Sequence, residues 1–272
     1  MGETAIEWTD KVWNPVTGCS KVSQGCKNCY AERVFPRPYP GRAFTDVRCH
    51  EDRLDAPLHW RKPCRVFVNS MSDLFHEAVP FEFILDVMGV CGVAQQHTFQ
   101  ILTKRPQRML DFSRWIAGTG EHISMAEWPR NVWLGVSVED QKTAEERIPL
   151  LLQTPAVVRW TSYEPALGPI DFSKVHHPIE SASVLTGIYW RVYPNNYYCT
   201  NRFLRWLVCG GESGPNARPM HPDWARSVRD QCVAAGVPFF FKQWGEWAPS
   251  GDKVGKKHSG RLLDGREWNE YP

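Results

Sequence analysis

The sequence predicts an α/β fold, a partial or full parallel (βα) barrel with one inserted long loop and a C-terminal extension. Three observations carry this expectation. Seven short β-rich runs recur along the 272 residues. Helical patterns fill most of the intervals between them. The central runs follow one another at about thirty residues, the length of a βαβ unit. Residues 1–250 read as a single barrel-like domain, with a cysteine loop at 17–33 and an insertion at about 172–205, and 251–272 read as the extension.

In chain order, the first run is "VWN" near Val12, followed by "RVFVNS" from Arg65 and "TFQILT" from Thr98. "NVWLGVS" from Asn131, "AVVRWTS" from Ala156, "RWLVCGG" from Arg205 and "VPFFFKQW" from Val237 complete the set. Between the second and third runs "PFEFILDVMGVCGVAQQ" has helical periodicity, and after the third so does "RPQRMLDFSRWIAG". "DQKTAEERIPLLLQTP" starts on Asp140, a good cap, while Pro149 predicts a kink or a second helical piece. "HPDWARSVRDQCVAAG" places Pro222 in the first turn, Trp224, Val228, Cys232 and Ala235 on one face, and Gly236 as the stop. Two stretches break the rhythm, the Pro- and Arg-rich segment Pro36 to Pro63 and the aromatic insertion before the sixth run; loops this long commonly carry function.

Composition narrows the function classes. With 32 basic and 30 acidic residues the formal charge is +2, so any nucleic-acid binding must be local. No run of about eighteen apolar residues is present to cross a bilayer. The N-terminal "MGETAIEWTDKVWNP" lacks the basic start and apolar stretch of a secretory signal, so a cytoplasmic protein without a membrane partner is expected. In that compartment most of Cys49, Cys64, Cys91, Cys199, Cys209 and Cys232 are expected as core residues.

Cys19, Cys26 and Cys29 are different, because they cluster beside Gly18 and Gly25 in a polar loop without an apolar face. A disulfide would leave one thiol odd in a reducing compartment. Structural zinc needs a fourth ligand, and only the distant Cys49, His50 or Cys64 offer one. A three-thiolate iron–sulfur cluster uses all three and leaves one iron open. The histidines, His176 and His177 included, have no metal-ligand spacing.

In a parallel barrel, substrate-facing side chains project from the C-terminal strand ends. There the sequence places Ser70, Ser72 and Asp73 after the second run, Thr103 and Lys104 after the third, and Glu139 after the fourth. Glu164 follows the fifth, Gly210, Gly211 and Glu212 the sixth, and Lys242 closes the seventh. Acids at four strand ends, with Lys104 and Lys242, are expected to converge on one mouth. The two glycines of "GGESGP" are expected to let backbone approach a ligand.

The segment "GCSKVSQGCKNCYAER" resembles the cluster loop of radical S-adenosylmethionine enzymes, above all spore photoproduct lyase-like members with Tyr-Ala after the last cysteine. More closely, "WNPVTGC", "GCKNCYAER", "VFVNSMSDLFH", "ILTKRPQRM", "NVWLGVSVE", "YEPALGPI", "CGGESGP" and "FFFKQWGEW" resemble a phage-borne three-cysteine-motif family of uncharacterised function. The spacing departs from the usual radical enzyme: six residues separate Cys19 from Cys26, where three are usual, and Gly-Gly-Glu comes after the sixth run, not the second. The resemblance implies a radical-SAM/TIM-like barrel whose Cys19, Cys26 and Cys29 hold a [4Fe–4S] cluster. It also implies S-adenosylmethionine as cofactor, an electron donor as partner, and reductive cleavage to a deoxyadenosyl radical. Tyr30, Ser70, Ser72, Asp73, Thr103, Lys104, Glu139, Glu164, Gly210, Gly211 and Glu212 become candidates to contact that cofactor. Arginines between Arg33 and Arg65, interleaved with Phe35, Tyr39, Phe44 and Trp60, suggest a nucleotide or nucleic-acid substrate. The competing expectation is a zinc-stabilised nucleic-acid-binding module or a phage scaffold protein without catalysis.

Overall fold

The computed structural model describes residues 4–118, 128–179, 182–191 and 196–272. Seven parallel strands alternate with helices and curl as a half-barrel, a TIM-like and radical-SAM-like partial barrel. The strands are β1 (Lys11–Trp13), β4 (Arg65–Val68), β5 (Thr98–Thr103), β6 (Val132–Val138), β7 (Val158–Tyr163), β10 (Trp206–Gly210) and β11 (Phe239–Gln243), hydrogen-bonded in that order. Each coincides with one of the seven β-rich runs, because buried parallel strands need near-continuous apolar segments. Every residue of β7 and β10 is buried. No helix among the described residues is long and apolar enough to cross a membrane.

The chain divides into two compact units. The first is Met1–Gly135 with Thr154–Val157. Here β1 pairs with β4 and β4 with β5, while α2 (Phe81–Val93) and α3 (Pro106–Gly118) follow the second and third of these strands. The helices bury Ile84, Val87, Met88 and Cys91 from one and Met109, Leu110, Phe112 and Ile116 from the other, at the i, i+3, i+4 spacing of an apolar stripe. Trp13, Phe35, Phe75, Phe99 and Phe112 are fully buried in this unit. A second, small antiparallel pair joins β2 (Val16–Thr17) to β3 (Arg48–Cys49), with Thr17 opposite Arg48. It ties the approach to the cysteine loop to the Pro- and Arg-rich segment.

The second unit is Val136–Gln153 with Val158–Pro272. Asp140 caps α4 (Gln141–Gln153): its Oδ1 accepts from the Thr143 amide at 2.9 Å, and the Thr143 hydroxyl accepts from the Glu139 and Asp140 amides. The helix is continuous through Pro149, so no second helical piece begins there. Burial of Ile148, Leu151 and Leu152 around the ring holds the helix together where the proline removes one backbone donor. In α5 (Pro222–Ala235), Ala225, Val228 and Cys232 form the buried stripe, and Trp224 and Ala235 are only half-buried. Gly236 ends it in the left-handed conformation at φ 69°, which a Cβ would resist.

The segment expected as an insertion contains the hairpin β8 (Ile188–Arg191) and β9 (Asn196–Cys199); its residues 180–181 and 192–195 lie outside the described residues. The segment after Gly251 is packed, with a short α6 (Lys256–Ser259) and a return along β11. The Phe241 amide donates to the Trp268 carbonyl at 2.9 Å, Trp206 Nε1 donates to the Glu270 carbonyl at 2.8 Å, and Tyr271 stacks on Trp206.

The cysteines divide by burial. Cys91, Cys209 and Cys232 are core residues, Cys49 and Cys64 are half-buried, and Cys199 is exposed. Cys199 therefore departs from the expected core role: it lies on the two-stranded β8–β9 hairpin with its thiol exposed.

Candidate functional site

The cysteine loop begins in the first unit where β2 ends. Gly18 has φ 90°, and a Cβ on it would lie 2.5 Å from the Asp46 carbonyl oxygen, so only glycine lets these two segments meet. The next amide, that of Cys19, donates to the Phe44 carbonyl at 2.8 Å. Cys26 closes a single 3-10 turn, Gln24–Cys26, and Cys29 immediately precedes α1 (Tyr30–Val34). All three thiols are free and half-buried. Lys21 and Glu32 close the loop on its solvent side with an exposed pair at 2.8 Å.

Arg105 is the residue that organises this corner. Its guanidinium is buried and donates from Nη1 to Cys19 Sγ at 3.6 Å and to Asp73 Oδ2 at 3.2 Å. Nη2 reaches the Ser20 hydroxyl at 2.8 Å and the Ser20 carbonyl at 3.1 Å, and Nε is 2.9 Å from Glu77 Oε2. His76 adds a bond to the same Ser20 hydroxyl, Nε2 to Oγ at 2.8 Å. Burial pushes the Cys19 thiol up to about 11, helped by Asp73 and Cys26 and opposed by Arg105.

Asp73, only 5% exposed, has a full set of partners: the Thr103 hydroxyl at 2.7 Å, the amides of Phe75 and Lys104 at 3.0 and 3.1 Å, and Arg105. Thr103 Oγ1 in turn accepts from the Arg105 amide at 2.8 Å. Ser70 donates to Asn14 Oδ1 at 3.2 Å and Ser72 to the Val16 carbonyl at 2.8 Å, so both hydroxyls brace the backbone that leads into the loop. Lys104 is half-buried, and Tyr30 is exposed on the first turn of α1. In this unit Asp73 and Thr103 form one network with Arg105 and the loop, Ser70 and Ser72 bond instead to Asn14 and Val16, and Tyr30 stands outside both.

The second unit repeats a pattern of strand-end acid with its own cation. Glu139, 1% exposed, meets Arg147 Nη1 at 3.1 Å, the same nitrogen that donates to the Ser137 carbonyl. Glu164 receives both of its bonds from Lys242 Nζ, at 2.7 and 2.9 Å. Glu212 is gripped by Arg218 through Nη2 at 2.7 Å, Nε at 2.9 Å and the backbone amide at 2.8 Å. Glu164 differs in its partner, since Lys242 is a flexible point charge where the other two acids meet a guanidinium.

The glycines of "GGESGP" serve backbone packing. A Cβ on Gly211 would sit 1.9 Å from the Trp244 carbonyl oxygen, and one on Gly245, at φ 88°, would sit 2.1 Å from the Glu212 carbonyl oxygen. The strand ends of β10 and β11 therefore cross with only main chain between them, which accounts for Gly211 without a ligand. Gly210 is spacious by comparison: a Cβ there would meet Glu164 and Lys242 atoms only at ordinary contact distance.

Among the described residues no three His, Cys, Asp or Glu side chains converge to hold one metal ion. The loop is thus not arranged as a ready tetrahedral ion site. An iron–sulfur cluster makes a different demand, since it is a larger group held at its corners by separate thiolates. The donor chemistry here fits that group: three free thiols on one short loop, with an arginine donating to the first sulfur.

Sequence reasoning misses Arg105, Arg147 and Arg218 as partners of the acids. For Arg147 a signal exists, as it lies two turns along the helix that follows Glu139. Arg105 and Arg218 depend on loop paths that no periodicity reveals.

The parallel strands alternating with helices place the molecule in the class of α/β partial-barrel proteins, a fold compatible with an enzyme. Within that class, the chain belongs to the family described as protein of unknown function (DUF5131), which matches residues 3–272. No curated protein and no solved structure matches it.

Proposed function

We propose that this chain is an iron–sulfur enzyme of the radical S-adenosylmethionine kind. The observation that carries the reading is the set of three free, half-buried thiols, Cys19, Cys26 and Cys29, on one loop of a partial parallel barrel, with Arg105 donating to the first. A [4Fe–4S] cluster held by these thiolates would supply the electron for reductive cleavage of S-adenosylmethionine, drawn from an external electron donor.

The chain's own residues have defined parts in this reading. Arg105 stabilises negative charge on Cys19 and fixes the loop's first turn through Ser20, while Asp73 and Glu77 orient its guanidinium. Ser70 and Ser72 keep the approach to Cys19 rigid. Glu164, met by a single lysine where Glu139 and Glu212 meet arginines, is the strand-end acid of its unit best suited to take up a ligand amine.

The test is anaerobic reconstitution with iron and sulfide. We expect a brown protein that, once reduced, releases deoxyadenosine from S-adenosylmethionine. Cys26→Ala should lose both properties while keeping its circular dichroism spectrum. A colourless protein that takes up stoichiometric zinc would instead support the non-catalytic binding module, and cleavage retained in Cys26→Ala would end the proposal.

A further inference from the structure

The Pro- and Arg-rich segment folds around a cleft of about 590 Å³ lined by Tyr39, Arg42, Asp46, Arg48 and His50, with Pro40, Gly41 and Ala43 at its turn. The cleft is shallow and opens widely to solvent, so a ligand in it keeps one side in water. Arg42, Arg48 and Arg53 all bear on His50: burial, then the neighbouring Arg53, hold His50 below its ordinary value, and burial with Arg48 and Arg53 does the same to Arg42. Against these cations stand Asp46, which takes Arg48 at 2.6 Å, and Asp52, 4.0 Å from His50. The Arg48 pair is exposed and therefore weakly held. The half-buried Tyr39 ring adjoins the charge, while the Arg42 guanidinium, 4.9 Å from the centres of both the Tyr39 and the buried Phe35 rings, is packed away.

The cleft is built onto the start of the cysteine loop. Arg42 Nη2 donates to the Thr17 carbonyl at 3.0 Å and to the Thr17 hydroxyl at 2.7 Å, and His50 Nε2 lies 2.7 Å from the same hydroxyl. Arg48 faces Thr17 across the β2–β3 pair, and the Phe44 carbonyl accepts from the Cys19 amide. Arg42 and His50 thus serve as the frame, and Arg48 is the cation whose guanidinium is open to solvent.

We infer that this cleft binds a nucleoside phosphate, the phosphate on Arg48 in exchange for Asp46 and the base against the Tyr39 ring. Calling that ligand the substrate rests on the function proposed above; the binding itself does not. The ligand chemistry is shared by a free mononucleotide and by one nucleotide of a single strand.

Calorimetric titration of the full chain, purified without reconstitution, separates the outcomes because no cluster is needed for binding. The probes are thymidine monophosphate, a short single-stranded oligothymidylate and inorganic pyrophosphate. Binding of the mononucleotide supports a free nucleotide as ligand, and binding of the oligonucleotide alone supports a strand. Arg48→Ala should weaken either about 10-fold, and Asp46→Asn should tighten it about 3-fold. Both side chains lie at the surface, so the fold survives either change. Pyrophosphate bound as tightly as the nucleotide, no binding of any probe at millimolar concentration, or an unchanged affinity in Arg48→Ala would each overturn the inference.

Discussion

Arg105 and Asp73 show how much one buried pair can hold. The guanidinium touches Asp73, Glu77, Ser20 and Cys19, so removing its main counter-charge leaves a cation stranded among fixed dipoles. Asp73→Ala is expected to cost about 3–5 kcal/mol in a denaturant melt. A loss below about 1 kcal/mol would show that Glu77 alone suffices. His76 adds a pH dependence. Its Nδ1 accepts from the Ala78 amide, so the folded ring is neutral, and burial followed by Arg105 keeps it below its ordinary value of 6.5. The unfolded chain protonates first as pH falls through that value. Stability from this group is therefore full above it and lost as pH falls towards the lower folded value. Melts between pH 7 and pH 5 should show the decline, and His76→Gln should flatten it.

Among the elements, α4 and the β10–β11 crossing make opposite demands on their special residues. Pro149 sits inside a continuous helix where it removes a backbone donor, so Pro149→Ala should stabilise the protein by about 1–3 kcal/mol, read as a higher melting temperature. An unchanged or lower melting temperature would mean that the ring fills space that alanine cannot. Gly211 has no such freedom: the Trp244 carbonyl occupies the position of any Cβ. Gly211→Ala should fail to accumulate as soluble protein. A well-folded variant would show that the strand ends are able to separate. Two glycines in sequence thus look like a ligand cradle because a close main-chain crossing and a phosphate-binding turn ask for the same residue.

Across the whole molecule, the alternation of seven apolar runs with helical stretches is legible in the sequence, since period and length depend on local sequence alone. The strand-end positions of Asp73, Glu139, Glu164 and Glu212 follow from the same pattern. The pairing of Asp73 with Arg105 and of Glu164 with Lys242 does not, because those cations arrive from distant parts of the chain, whereas Arg147 and Arg218 lie within eight residues of their acids. The polar composition of the C-terminal segment suggests a loose extension, yet Leu263, Trp268 and Tyr271 are enough to pack it down. If the thiol loop takes up a cluster, ligand linkage predicts a higher melting temperature for the reconstituted protein than for the same chain without iron. Equal melting temperatures would place the bound iron outside the folded loop.

The return of that last segment along β11 has a practical meaning. Strand β11 ends the sheet, and its outer row of amides and carbonyls is met by Trp268, Asn269 and Glu270. Cutting the chain before Trp268 would bare a flat, phenylalanine-rich border able to recruit the same border of another molecule. Shortened forms should self-associate into insoluble assemblies before they lose their helices, so any tag or fusion belongs at the opposite terminus.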